Sequence, residues 1–72
     1  METKRDRFIR LAEARTNKII DMVRLLGNCS NKAVYDYDDA DIQKIFNALD
    51  REMKNARAKF SVEDSENKKF KL

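Results

Sequence analysis

The densest set of chemistry-bearing groups in the sequence is a run of carboxylates near its middle, Asp36, Asp38, Asp39 and Asp41. Oxygen clusters of this kind hold Ca²⁺ when a glycine turns the loop and a glutamate at its end binds through both oxygens, and both residues are missing here. The same acids suit the opening of a helix. Asp38 is a good N-cap and Asp41 falls at the position that answers it. Tyr37 before the cap can pack on Ile42 after it, and Asp39 with Asp41 puts negative charge beside the positive end of the helix dipole. Capping is therefore the preferred reading, with metal as the alternative.

Other reactive groups are sparse. There is no histidine, and the single cysteine, Cys29, has no base in its motif to hold it as a thiolate, so it reads as a small apolar filler. A lone cysteine closes no internal disulfide. The sequence also has no glycine-rich phosphate loop, no nucleophile motif and no cysteine cluster with metal spacing. No catalytic, metal or cofactor residue is assigned, and the chain is expected not to be an enzyme.

The remaining candidates are cations. On the second of two expected helices, Lys44, Asn47, Arg51 and Lys54 fall on the side opposite the apolar stripe, with Asn55, Ala58 and Lys59 near them. Lysine and arginine in this pattern can lie along phosphates, and the asparagine amides can read base edges. The alternative is a solvated face, the usual role of charge on a helix. A second basic spot, Lys4, Arg5, Arg7 and Arg10, lies near the amino terminus and is interrupted by Asp6.

These groups must be positioned by helices. Proline is absent and glycine occurs once, at Gly27, after a run with no helix breaker. The spacing predicts a first helix over about residues 3–26, with Gly27 in the left-handed conformation that commonly ends a helix. Its apolar residues include Phe8, Leu11, Ala12, Ile19, Met22, Val23 and Leu26, with a shoulder at Ile9, Thr16 and Ile20. Together they span an arc of about 200°, where one buried face needs roughly 100°. A second helix is expected over about 38–60, its stripe running through Ile42, Ile45, Phe46, Leu49, Met53, Ala56 and Phe60.

The expected architecture is all-α: residues 1–60 form an antiparallel two-helix hairpin with a loop at 27–37, and residues 61–72 form a flexible polar tail. Val34, Tyr35 and Tyr37 are expected to fold the loop over the hairpin's end, and Ser30 to cap a short extra turn. Two helices enclose no core, and the surplus arc of the first suggests that two hairpins pair into a four-helix bundle. The candidate dimer interface is Ile9, Thr16, Ile20, Val23 and Arg15. Arg15 falls near the centre of the apolar face, where a buried charge needs a partner such as Glu52 or a path out to water.

Composition fits this reading. The 72 residues have 16 Lys and Arg against 13 Asp and Glu, a net charge of +3 in a chain that is 40% charged. Both helices are net basic and the loop is acidic. No stretch approaches the roughly 20 apolar residues that cross a bilayer, and the opening METKRDRFIR lacks the apolar core of a signal peptide. The chain is expected in the cytoplasm and away from membranes.

The segments Arg7–Asn31 and Tyr35–Met53 resemble a group of small helical proteins of unassigned function carried by conjugative transposons, plasmids and prophages of Firmicutes. The resemblance rests on Arg7-Phe8, Leu11-Ala12-Glu13, Leu26-Gly27-Asn28, Ser30-Asn31, Tyr35 with Tyr37, Lys44-Ile45-Phe46 and Phe60, and covers about residues 4–60. It implies a bacterial mobile element as the source and assigns no functional residue. Two functions are carried forward. The first is a non-enzymatic accessory protein of such an element, a homodimer that binds a protein partner not identified by the sequence. The second is a small DNA-binding accessory factor that uses the basic face of the second helix.

Overall fold

The computed structural model describes residues 1–61, and within them the chain is all-helical: two α-helices, a short 3₁₀ turn and no strand. Helix α1 spans Lys4–Gly27 and α2 spans Asp39–Lys59. The tail expected over 61–72 lies, apart from Ser61, outside the described residues. The chain divides into two units, Met1–Asp36 and a second beginning at Tyr37, each described by itself below.

In the first unit, α1 begins at a reciprocal cap. The Asp6 N–H donates to the Thr3 hydroxyl oxygen at 3.0 Å, and the Thr3 N–H donates to the Asp6 carboxylate at 3.2 Å. Two amides that a helix start leaves without partners are satisfied in this way. At its other end α1 departs from expectation. Gly27 has φ −58° and ψ −31°, ordinary helical values, and the helix runs through it into the 3₁₀ turn Asn28–Ser30. The Asn28 N–H reaches the carbonyls of Arg24, Leu25 and Leu26, so tightening of the last turn does the work expected of a left-handed glycine.

A second turn follows, built on Asn31. Its carbonyl accepts from the Val34 and Tyr35 N–H groups at 3.1 and 2.9 Å. Its side-chain oxygen accepts from the Ala33 N–H at 3.0 Å, an Asx turn.

The second unit opens as the acids suggested. Asp38 is the N-cap of α2: its carboxylate accepts from the Asp41 N–H at 2.8 Å, and the Asp38 N–H donates to the Asp41 carboxylate at 3.0 Å. Tyr37 and Ile42, which flank the cap, are half-buried within a mostly exposed chain, as a hydrophobic staple requires. At the carboxyl end, the Phe60 N–H donates to the Arg57 carbonyl and the Ser61 N–H and hydroxyl both donate to the Ala58 carbonyl. Arg57 and Lys59 in the last turn complement the negative end of the dipole.

No described residue is buried, and only Leu11, Ala12, Leu26, Tyr37, Ile42 and Leu49 reach partial burial. Each helix therefore keeps its apolar face without an enclosed core around it.

Candidate functional site

The amino-terminal cations are largely occupied within the chain. Glu2 lies across the start of α1 and takes Arg10 through both oxygens, Nε to Oε1 at 2.7 Å and Nη2 to Oε2 at 3.2 Å. Arg7 Nε stands 3.7 Å from the same carboxylate. The Arg10 guanidinium, with Arg7 behind it, holds the Glu2 carboxyl below its ordinary pKa, and Glu2 in return raises that of Arg10. Arg5 sits over the Phe8 ring at 5.8 Å, a cation–π contact. Of the spot made by Lys4, Arg5, Arg7 and Arg10, only Lys4 has neither an ion pair nor a ring contact among the described residues.

The basic side of α2 differs in this respect. Lys44, Asn47, Arg51 and Lys54 are exposed, and among the described residues no ion pair involves any residue of α2. No acid lies between them on that side, and Asp50, one turn before Lys54, is in no ion pair with it among the described residues. An unpaired face of this kind can meet phosphates or remain in water.

The acids between the helices are accounted for by structure. Asp38 and Asp41 spend carboxylate oxygens on backbone N–H groups at the start of α2. Among the described residues, no three Cys, Asp or Glu side chains gather in a way that could hold a metal ion. Cys29 is exposed in the 3₁₀ turn, a correction to its reading as an apolar filler.

The apolar faces are the most prominent surfaces. On α1 the shoulder residues Ile9, Ile20 and Val23 are exposed at 38%, 41% and 46%, with Thr16 also exposed beside them. On α2 Phe46, Met53 and Phe60 are exposed at 45%, 67% and 80%. Scattered apolar side chains on a surface are ordinary, but contiguous stripes along two helices mark surfaces that bind. Arg15 is exposed, so its charge keeps its water and needs no buried partner.

Around Ala14 the surface of α1 dips into two shallow hollows, one against Asp6, Arg10 and Glu13 and the other against Leu11, Arg15 and Asp21. Both are open furrows along a single helix, unlike the enclosing clefts that hold small molecules.

Sequence reasoning left two features of the site unread. The Thr3-x-x-Asp6 spacing was the available signal for the first cap. The Glu2–Arg10 pair had none, because it joins a residue before the helix to one in its second turn. No protein-family model, curated protein or solved structure matches the chain. No helix among the described residues is long and apolar enough to cross a membrane.

Proposed function

We propose that the chain is a non-enzymatic accessory protein of a bacterial mobile genetic element that acts through protein–protein contacts in the cytoplasm. Its working form is a helical hairpin that pairs with a second copy into a four-helix bundle. One observation carries the reading: two capped helices, each with a continuous apolar stripe, and no buried residue among those described. A short chain reaches stability by covering such stripes, and association is one route to it at this size. In the bundle, α2 covers one part of the wide arc of α1, and the second copy takes the shoulder at Ile9, Thr16, Ile20 and Val23. Arg15, near the centre of the apolar face of α1, lies along the groove out to water or meets a carboxylate such as Glu52. The mobile-element source rests on the resemblance of Arg7–Asn31 and Tyr35–Met53 to small proteins of such elements.

A second reading is favoured by a separate observation, the uncompensated charge of Lys44, Arg51 and Lys54 on α2. In it the protein is a small DNA-binding accessory factor. The clasp of Glu2 on Arg7 and Arg10 weighs against the amino-terminal cluster as a phosphate contact.

Light scattering at micromolar concentration, at low and at moderate salt, with and without a short mixed-sequence duplex, separates the two. A dimer that is indifferent to salt and ignores the duplex supports the interaction protein. Binding that collapses as salt rises supports the DNA-binding factor, because each phosphate contact releases counterions.

A further inference from the structure

We infer that in the dimer the two copies of α2 run antiparallel, related by a twofold axis perpendicular to the helices at the level of Arg51. The inference rests on the dimer reading and supplies its geometry, since a bundle of two hairpins can also form with the twofold along the helices and the copies of α2 parallel.

The apolar stripe of α2 is nearly symmetric about Arg51. Leu49 and Met53, Phe46 and Ala56, and Ile42 and Phe60 stand in pairs equidistant from it. The stripe faces the core of the bundle, where it meets α1 of its own copy and α2 of the second. Reversed, it sets apolar residue beside apolar residue, as a twofold contact between identical patches requires, except at Ile45, whose mirror position is Arg57. A parallel pair also matches apolar with apolar, so the stripe permits both directions and charge decides between them.

The first turn of α2 carries Asp39 and Asp41, and its last turn carries Arg57 and Lys59. Reversal of one copy brings acidic start beside basic end at both ends of the pair, and opposes the helix dipoles as well. Copies in the same direction stack acid on acid and base on base. The edges of the stripe agree. At about 100° per residue, Asp41, Glu52 and Lys59 line one edge while Asp50, Lys54 and Arg57 line the other. A perpendicular twofold carries each edge onto itself, which levels Asp41 with Lys59 of the second copy and Asp50 with its Lys54. Like charges approach only near the axis, at Glu52 and Asp50. A parallel pair instead joins opposite edges: Glu52 then lies between Asp50 and Lys54, which cancel, while like charges meet at both ends, Asp41 with Asp39 and Lys59 with Arg57. None of these side chains is in an ion pair among the described residues, so the charges are free to select the direction.

Distances between spin labels on the two copies test this. In a Cys29→Ser background, single variants Lys44→Cys, Arg51→Cys and Ala58→Cys each carry one nitroxide, all on the face opposite the apolar stripe, so that the lateral separation is about the same for the three. The expected result is the shortest distance for the label at 51. Labels at 44 and 58 are longer, because displacement from the axis adds an offset of about 21 Å along the helix direction to each. Three equal distances from a species of dimer mass overturn the antiparallel order and leave the dimer standing. A label at 51 that is not the shortest overturns it too. No inter-copy distance, with a monomer mass, overturns the dimer itself.

Discussion

Glu2 and Arg10 meet in a two-point ion pair that ties the residues before α1 to its second turn, at 2.7 and 3.2 Å. The Arg10 side chain is 61% exposed and that of Glu2 34%, so water and salt still screen the attraction and its net stabilisation is small. Its clearest effect is to settle which cations remain free: Arg7 and Arg10 are held, and Lys44, Arg51 and Lys54 are not.

The clasp sets a pH dependence whose sign follows from the direction of the shift. The Glu2 carboxyl is held below its ordinary pKa, so its contribution is fully present above the unfolded value of about 4.3 and is lost as pH falls through the lower, folded value. Titration of the Glu2 carboxyl carbon by NMR is expected to show a midpoint below that of the variant Arg10→Gln. Equal midpoints would mean that the clasp does not form in solution.

The cap of α2 gives a stability prediction. Asp38→Ala leaves the Asp41 N–H without its acceptor and is expected to cost about 1 kcal/mol, while Asp38→Ser, which keeps an acceptor, costs less. Thermal melts followed by circular dichroism at one fixed chain concentration measure both. Equal losses for the two variants would place the effect in the charge and not in the cap.

Gly27 offers a test of the opposite sign. It holds helical dihedrals, and a Cβ added there would meet nothing within 4 Å. Gly27→Ala is therefore expected to stabilise the chain by about 0.4–1 kcal/mol, chiefly by narrowing the unfolded ensemble. A loss in the melt would show that Gly27 adopts the left-handed conformation after all.

The basic face of α2 distinguishes the two functional readings by salt. The protein-contact account expects a mixed-sequence duplex to stay free at about 150 mM salt, with binding only at low ionic strength. A complex that persists in fluorescence anisotropy, and whose salt slope falls by about one for each of Lys44→Gln and Lys54→Gln, would instead establish phosphate contact.

What the sequence made legible was local. The capping of α2 by Asp38 and Asp41 needs only a spacing of three residues, within one turn of chain, and it stands in the structure as the spacing implied. The stripe of α2 was visible for the same reason, since helical period alone defines it. Gly27 misled because one glycine after a helix is compatible with two endings, and the carbonyls of Arg24, Leu25 and Leu26 are satisfied by the Asn28 N–H in a tightened turn. Asn31 organises the turn that follows through its backbone and its side chain together, a role that composition does not separate from that of Ser30. Arg15 illustrates the other limit. Its place on the helical wheel suggested a buried charge, but burial depends on what covers a face, and Arg15 is exposed.

The central claim is that the exposed stripes of α1 and α2 are covered by a second copy, and sedimentation equilibrium at micromolar concentration tests it most directly. The account predicts a species of twice the 8.5 kDa chain mass, unchanged at moderate salt and reduced toward monomer by Ile20→Lys on the α1 shoulder. A single species at 8.5 kDa across the concentration range would contradict it.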